Sequence, residues 1–472
     1  MIYVMLKAML LISIFTQCQS PSQKQKAKYV FYFIGDGMGV NQVNGTEMFL
    51  AEQEGNIGTK WLNFTQFPVV SYATTYSKYN SVTCSAAAGT ALATGCKTKN
   101  GTIGMDSLQK IPLYSVAVRA KKSGKKVGIA TSVSIDHATP AAFYAHQPSR
   151  NMYYEIATDL PKTAFDFYAG AGFLQEKQKQ DTTAVSVYEI FQDSGYVLIR
   201  GQQEFVEKGR TAEKIVFVQQ AGKDANSLPY AIDRKLEDLT LAQITKGAIE
   251  FLDRREQNGF FLMVEGGKID WACHSNDAAT VFQEVVDFSA AIQEALNFYQ
   301  QHPEETLIVV TADHETGGIA LGIGPYELNL KLLEYQKLSV EALTVELKKL
   351  RQSKKNRVAW EDVEHLLAEK LGFGREVILN EKQIQRLKEV YKTSFTGDEV
   401  QLEEQLYASN EPIAGHAIRI LNGLAKIGWS SGGHSAGLVP VYAIGVGAQL
   451  FQGRLDNTDI PRKIAKAAGY EF

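Results

Sequence analysis

The sequence has few cysteines, only a small excess of negative charge and no repetition. Only four of its 472 residues are cysteine, too few for a fold built on a disulfide framework. Cys84, Cys96 and Cys273 lie in the body of the chain and leave room for one disulfide whose members the sequence does not identify. The 49 basic and 52 acidic residues give a formal net charge of −3, which argues against electrostatic binding of nucleic acid. We find no internal repeat and no low-complexity segment.

Long apolar runs are also scarce, and the one that resembles a targeting segment is residues 8–15, just after Lys7. The chain turns polar directly afterwards and offers small residues near position 20. This pattern predicts a signal peptide over residues 1–22 and a mature chain over residues 23–472, exported to the periplasm or the extracellular space. The run is short for a membrane-spanning helix, so we expect no transmembrane anchor in the mature chain. A lipid anchor on Cys18 is the alternative.

What the sequence does contain is a buried strand followed by polar side chains, in residues 260–274. Five apolar residues, 260–264, lead into Glu265 and two glycines, which is typical of a parallel strand ending at Glu265. Asp270 and His274 are four residues apart, so on a helical turn they share one face. A carboxylate and an imidazole placed in this way suit a divalent cation. A capped helix with solvated polar residues is the alternative interpretation.

Similar chemistry follows other predicted strands. Residues 29–34 form a continuous apolar run that ends in a glycine-rich turn around Asp36, and residues 306–310 lead to the adjacent pair Asp313 and His314. An adjacent aspartate and histidine at a strand end indicate metal ligands. The alternatives are a turn in which Asp36 makes only local hydrogen bonds and a structural Asp-His pair.

Ser85 precedes a run of small residues, 86–94, that favours a tightly packed helix. A serine at a helix start is often only a capping residue. The same position suits a nucleophile, because the helix dipole and the free N–H groups favour an anion there. A phosphate would use the same donors, so both interpretations can hold together.

The pattern of strand, polar loop and helix predicts an α/β fold with a doubly wound, mostly parallel central sheet flanked by helices, and a site at the carboxyl edge of the sheet.

Between about residues 325 and 425 the spacing of Leu343, Leu347 and Leu350 is helical and the surroundings are rich in Lys and Glu. We expect a crown-like helical insertion there, before His434. The collected candidate site residues are Asp36, Ser85, Thr139, Arg150, Glu265, Asp270, His274, Asp313, His314 and His434. Imidazoles with carboxylates suit Zn²⁺, and an all-oxygen subset suits Mg²⁺.

Taken in order, these motifs resemble the alkaline phosphatase family over almost the whole mature chain. The matching segments are Asp-Gly-Met-Gly at 36–39, Thr-Cys-Ser-Ala-Ala-Ala-Gly-Thr-Ala at 83–91, His-Ala-Thr-Pro at 137–140, Arg150, Glu-Gly-Gly-Lys-Ile-Asp-Trp-Ala-Cys-His at 265–274, Thr-Ala-Asp-His at 311–314, Gly-His at 433–434 and Asp-Asn-Thr-Asp-Ile at 456–460. Each motif is weak alone, but the ordered set is specific.

The resemblance implies an alkaline phosphatase that hydrolyses a broad range of phosphate monoesters through a phosphoserine on Ser85, with two Zn²⁺ and one Mg²⁺. It implies that Arg150 clamps the phosphate and that the chain forms a homodimer. The implied ligands are Asp270, His274 and His434 for the first zinc, Asp36, Asp313 and His314 for the second, and Asp36, Thr139 and Glu265 for magnesium.

The sequence also departs from the family pattern. Cys84 stands where the family usually has an aspartate that steadies the arginine, so the orientation of Arg150 is open. His137 and Trp271 occupy positions that vary within the family and are expected to tune magnesium affinity and phosphate release. Other interpretations are a thiol nucleophile at Cys84, which the metal ligands disfavour, a phosphodiesterase or sulfatase of the same superfamily, and a catalytically inactive metal-stabilised binding protein.

Overall fold

The computed structural model describes residues 25–179, 181, 183–254, 257–324, 326–355, 357–395 and 401–472. The predicted signal peptide over residues 1–22, with Cys18, lies outside the described residues. Among the helices that are described, none has both the length and the apolar character needed to cross a bilayer.

A ten-stranded sheet forms the centre of the molecule. The strands of the described chain are β1 (Tyr29–Gly35), β2 (Val69–Thr74), β3 (Lys126–Thr131), β4 (Phe167–Gly170), β5 (Val197–Arg200), β6 (Ile215–Val218), β7 (Phe260–Gly266), β8 (Thr306–Ala312), β9 (Glu315–Thr316), β10 (Ile319–Leu321), β11 (Glu403–Glu404), β12 (Ser409–Asn410), β13 (Ile427–Trp429), β14 (His434–Ser435), β15 (Val439–Gly445) and β16 (Arg454–Asp456). The order across the central sheet is β16-β2-β15-β8-β1-β7-β3-β4-β6-β5. Every neighbouring pair is parallel except the two that involve β15, which runs antiparallel to β2 and β8. The predicted doubly wound, mostly parallel sheet is confirmed.

Helices cover the sheet. They are α1 (Val40–Gln53), α2 (Ser85–Thr94), α3 (Val116–Lys122), α4 (Ala138–Ala141), α5 (Tyr153–Asp159), α6 (Val187–Asp193), α7 (Gly201–Lys208), α8 (Leu241–Leu252), α9 (Lys268–His274), α10 (Ala278–Gln301), α11 (Val340–Ser353), α12 (Trp360–Leu371), α13 (Glu381–Phe395), α14 (Pro412–Leu424) and α15 (Asp459–Ala468). One group, α1, α8 and α10, packs together, and α2, α3 and α15 form another. Because both groups contact strands of the sheet, the central strands are covered on both faces and read as continuous apolar runs.

The centre of the core is formed by β1, β7 and β8, in which every residue is buried. Aromatic side chains fill the space between these strands and α10, and the rings of Phe31 and Phe260 meet edge to face at 5.2 Å. Such pairs add to the free energy gained by burying apolar surface. The apolar runs therefore dictate which strands lie in the middle, and those strands carry the candidate site at their carboxyl ends.

Two strands of the central sheet have a boundary at a turn or a proline. β3 ends at Thr131, and the backbone N–H of Ser132 still donates to the Glu265 carbonyl before the chain turns. β15 begins at Val439 and includes Pro440. The short strand β16 was not predicted.

The stretch expected to be a helical insertion contains α11, α12, α13 and α14, together with the two-stranded β11–β12 hairpin. We call residues 340–424 the helical segment. Leu343 and Leu347 are buried in it, as their spacing predicted.

Candidate active site

Three carboxylates lie together because three neighbouring strands end at the same edge of the sheet. Gly35 at the end of β1 is in register with Gly266 of β7 and with Ala312 of β8. Asp36 and Asp313 directly follow their strands and Glu265 is the second-last residue of β7, so the three side chains converge. All three are fully buried, which makes their negative charges costly without a bound cation.

Two further elements bring imidazoles to the same place. Asp270 and His274 share one face of α9, as predicted, and Oδ2 of Asp270 is 3.2 Å from Nε2 of His274. The β14 strand pairs with β9, placing His434 opposite Thr316. The rings of His314 and His434 stack at a centroid distance of 3.6 Å. The last predicted histidine is thus placed at the site by a two-residue strand in a glycine-rich loop.

Ser85 is the first residue of α2 and is completely buried. Its hydroxyl oxygen lies 3.2 Å from Nε2 of His314. The capping interpretation of Ser85 is wrong, because Cys84 occupies the N-cap position and no side chain caps the helix. The Ser85 hydroxyl is therefore directed at the cluster of acidic and imidazole groups.

Three sets of side chains are close enough to share an ion, each with ligand atoms within 4.8 Å of one another. They are Asp36 with Asp313 and His314, Asp270 with His314 and His434, and Asp36 with Glu265 and His137. The first set is the group of ligands expected for the second zinc. The second contains two of the three residues expected for the first zinc, and the third, His274, lies beside Asp270. In the last set, His137 joins Asp36 and Glu265, while the Thr139 hydroxyl is buried and has no hydrogen-bond partner among the described residues.

In His274 and His434, a hydrogen bond from one ring nitrogen to a backbone carbonyl fixes which nitrogen faces the site. Nδ1 of His274 donates to the Gly432 carbonyl at 2.6 Å, and Nδ1 of His434 donates to the Thr83 carbonyl at 2.8 Å. With Nδ1 protonated in each ring, Nε2 is the atom that offers a lone pair to a metal when the ring is neutral. Neither Nε2 atom has a hydrogen-bond partner among the described residues.

Thr316 orients the ring of His314 in a similar way. The Thr316 hydroxyl donates to Oδ1 of Asp270 at 2.5 Å and lies 3.2 Å from Nδ1 of His314. Since its proton is used on Asp270, the hydroxyl accepts from Nδ1 of His314. This leaves Nε2 of His314 as the atom that faces Ser85.

The distances between the candidate ligand atoms around His314 fit a zinc ion. Ligands at 2.0–2.1 Å from a tetrahedral zinc lie about 3.3 Å from one another. Nε2 of His314 is 3.3 Å from Oδ1 of Asp36 and 3.2 Å from Oδ2 of Asp313. These carboxylate oxygens are buried and lack a hydrogen-bond partner within the described part of the chain, as do Oε1 of Glu265 and Oδ2 of Asp270. Buried polar atoms without partners are rare in proteins, so the donor set fits bound cations.

The pKa shifts of the buried carboxyls and of His314 also fit a bound cation. Burial, with nearby carboxylates, raises the pKa of Glu265 to about 8 and that of Asp313 to about 7, and holds the pKa of Asp36 well above its usual range. Burial, together with His434, lowers the pKa of His314 well below its usual value. The imidazole is therefore neutral, as a metal ligand must be. A divalent cation would return the carboxyls to their charged form.

Arg150 reaches the site from beside this cluster. Its Nη2 atom donates to the Tyr407 hydroxyl at 2.8 Å and lies 3.3 Å from Nε2 of His137. Burial and Arg150 lower the pKa of His137 to about 3, so its Nε2 accepts from the guanidinium. The Tyr407 ring stacks on Trp271 at 4.6 Å. The orientation of Arg150, which the sequence left open, is therefore fixed by Tyr407 and His137 and not by Cys84.

Sequence reasoning missed three residues that contact the cluster. Tyr407 lies in the helical segment, outside every motif, and its position offered no signal. Thr131 ends β3 and donates its hydroxyl to Oε2 of Glu265. Thr316 belongs to the Asp-His-Glu-Thr run after β8, where its spacing from His314 was a usable signal. The three cysteines among the described residues are all free, so no disulfide contributes to the site.

Comparison with known proteins decides the family. The family model for alkaline phosphatase matches residues 27–170 and 174–470. The chain belongs to the alkaline phosphatase family. It is 31% identical to alkaline phosphatase 3 of Bacillus subtilis over 469 residues, which span 97% of this chain and 92% of that protein. It is thus a hydrolase of the phosphatase class with a metal-binding site.

Solved alkaline phosphatases share its architecture. A cold-active alkaline phosphatase from the psychrophile Shewanella sp. is 29% identical, with a TM-score of 0.77, and the match covers 93% of this chain and 99% of that one. A histidine-to-aspartate mutant of the alkaline phosphatase from the Antarctic bacterium TAB5, solved with Mg bound in its M3 site, is 26% identical, with a TM-score of 0.65 and coverage of 95% and 100%. The α/β architecture derived above is the architecture of alkaline phosphatases.

Proposed function

We propose that this alkaline phosphatase hydrolyses phosphate monoesters to an alcohol and inorganic phosphate through a phosphoserine on Ser85. The observation that carries the proposal is the 3.2 Å approach of the Ser85 hydroxyl to Nε2 of His314, within a buried set of carboxylates and imidazoles. A serine oxygen at the start of a helix is well placed to receive a phosphoryl group, because the first amides of α2 favour negative charge.

We assign two Zn²⁺ and one Mg²⁺ to the donor groups. Asp270, His274 and His434 would hold the first zinc; Asp36, Asp313 and His314 the second; and Asp36, Glu265 and Thr139 the magnesium. The unpartnered Nε2 atoms and the 3.2–3.3 Å spacings around His314 support the zinc assignments. The TAB5 mutant with Mg in its M3 site supports magnesium as the third ion. When bound, the zinc ions supply Lewis-acid stabilisation of the attacking and leaving oxygens of an in-line displacement.

The chain's own groups have distinct tasks. The Ser85 oxygen forms the new bond to phosphorus as the ester oxygen departs with the alcohol. Water then displaces the Ser85 oxygen and releases inorganic phosphate. Arg150 would hold two phosphate oxygens with its planar guanidinium, and it stays charged at any working pH. His137 and Trp271 line the Arg150 side of the site and would tune phosphate release.

The assay that tests this function compares three generic substrates: an aryl phosphate monoester, the matching diester and the matching sulfate ester. We expect the monoester to be the preferred substrate, with activity lost on EDTA treatment and restored by Zn²⁺ and Mg²⁺. Preference for the diester or the sulfate would select another branch of the superfamily. No turnover of any ester by the metal-loaded protein would support a binding role.

Export and dimerisation complete the proposal. The apolar run at residues 8–15 and the polar switch after it support cleavage near position 22, with lipid attachment at Cys18 as the alternative route to an exported protein. Intact mass of the exported protein distinguishes them, since a retained Met1 contradicts cleavage and a diacyl mass selects the lipoprotein. The homodimer rests on the family resemblance, and light scattering of the purified protein tests it.

A further inference from the structure

The helical segment places a tyrosine against the phosphate-binding arginine. Tyr407 lies in the tight turn between β11 and β12, where the backbone N–H of Gln405 donates to the carbonyl of Ala408 at 2.7 Å. Its hydroxyl oxygen accepts a hydrogen bond from Nη2 of Arg150 at 2.8 Å. A guanidinium has no acceptor, so the phenol oxygen is the acceptor, and its own proton remains available for another oxygen.

The tyrosine ring is fixed from several sides. It stacks nearly parallel on Trp271, with centroids 4.6 Å apart and an interplanar angle of 14°. It also meets the rings of His137 and His274 edge to face, both at 5.5 Å. Aromatic contacts of this kind hold a ring in one orientation. The hydroxyl is therefore presented to Arg150 by a rigid ring.

The hairpin that carries the tyrosine is itself tied down. Arg419 on α14 makes a two-pronged ion pair with Glu403 of β11, with N–O distances of 2.9 and 2.8 Å. Paired hydrogen bonds of this type fix geometry as well as adding energy. Although part of the helical segment, the hairpin thus forms one wall of the active site.

Cys84 does not hold the Arg150 guanidinium in place. The Cys84 sulfur accepts the backbone N–H of Gly101 at 3.1 Å, and a thiol sulfur is only a weak hydrogen-bond acceptor. Arg150 is held instead by its Nη2 contacts to Tyr407 and His137. A neutral phenol fixes the guanidinium without cancelling its charge, which remains available to a phosphate dianion.

We propose that Tyr407 is a positioning residue that fixes the Arg150 guanidinium for phosphate binding. The inference rests on the proposed role of Arg150 and adds a contribution from the helical segment to the phosphate site. It predicts that removing one hydroxyl in this segment weakens phosphate binding, while the ring contacts with Trp271 remain.

The test compares Tyr407→Phe with Tyr391→Phe in the metal-loaded enzyme. Tyr391 is a matched control: it lies in α13 of the same segment, and its hydroxyl donates to the Val358 carbonyl at 2.6 Å. We measure the inhibition constant of inorganic phosphate, its binding by calorimetry, and kcat and KM separately. We expect Tyr407→Phe to weaken phosphate binding about tenfold, as for loss of a hydrogen bond to a charged group. Tyr391→Phe should leave it within about twofold.

Arg150→Ala distinguishes the proposed role of Tyr407 from the proposed role of Arg150. If the tyrosine acts through the arginine, Tyr407→Phe should have little further effect in the Arg150→Ala background. An equal factor in both backgrounds, or no effect of Tyr407→Phe in the native enzyme, overturns the inference. If Arg150→Ala itself leaves phosphate binding unchanged, the proposed role of the arginine fails instead. Melting temperature and zinc content of each variant establish that the fold and metal sites are intact.

Discussion

The Ser85 hydroxyl oxygen lies 3.2 Å from Nε2 of His314, the same atom that lies 3.2 Å from Oδ2 of Asp313. A single ring nitrogen thus links the first turn of α2 to the end of β8. Because Nδ1 of His314 faces Thr316, Nε2 carries a lone pair rather than a proton. A cation bound there would face the serine oxygen directly, and this is the geometric basis of the proposed chemistry.

Replacing Ser85 with alanine should remove the phosphoenzyme and nearly all activity, a loss of roughly a thousandfold or more for a nucleophile. The direct measurement is the mass of a peptide covering residues 81–95 after acid quenching in the presence of phosphate. We expect one added phosphoryl group on Ser85 in the native enzyme and none in the variant.

Cys84→Ala is the matched control for that measurement. It removes a neighbouring side chain whose sulfur accepts the Gly101 N–H, so we expect the variant to remain active and to phosphorylate at Ser85. Phosphorylation found at Thr83 or Cys84, or an inactive Cys84→Ala enzyme that is folded and metal-loaded, would overturn the assignment of the nucleophile.

The sequence predicts much of this site because each motif follows a buried apolar strand. Parallel strands end at one edge, so the positions of Asp36, Glu265 and Asp313 follow from local patterns alone. The four-residue spacing of Asp270 and His274 likewise requires only helical geometry. These placements depend on short-range periodicity, which a single sequence displays directly.

The contribution of Tyr407 could not be predicted in this way. Tyr407 is 257 residues from Arg150 along the chain, and their contact depends on how the helical segment packs over α9. No periodicity links the two positions. Similarly, the capping interpretation of Ser85 failed because a shift of one residue at the helix start decides between capping and the active site.

Asp313→Ala should remove one zinc and abolish activity. Asp313 supplies a free carboxylate oxygen beside His314, while its other oxygen accepts the backbone N–H groups of Gly37 and His314 at 3.1 and 2.9 Å. Elemental analysis should show about two zinc and one magnesium per native chain and about one zinc less in the variant, since each site relies on few ligands. Near-full turnover with zinc retained would contradict this role, and a single divalent ion per active native chain would contradict the three-metal assignment.

His137→Asp should strengthen magnesium binding. His137 lies with Asp36 and Glu265 in the third donor set, and a third carboxylate would suit a hard cation better than an imidazole. Titration of the magnesium-depleted enzyme should give half-saturation at lower Mg²⁺ in the variant. His137→Asn, which adds no charge, is the matched control, and equal Mg²⁺ affinity in the two variants would exclude a role for the added carboxylate.

Metal removal should make the stability of the protein depend on pH in a defined direction. Burial is the main cause that raises the pKa of Glu265 from 4.5 to about 8 and that of Asp313 from 3.8 to about 7. The folded apo-protein therefore binds more protons than the unfolded chain across this range, and its stability falls as the pH rises through these values.

A divalent cation stabilises the same carboxyls as anions and should remove most of this dependence. We expect the melting temperature of the EDTA-treated protein to decrease steadily from pH 5 to pH 8, while that of the metal-loaded protein changes far less. Glu265→Gln cannot ionise and should flatten the apo-protein profile, whereas Glu364→Gln, an exposed change in α12, should leave it unaltered. Identical slopes with and without metal would show that the buried carboxyls are not the groups that hold the ions.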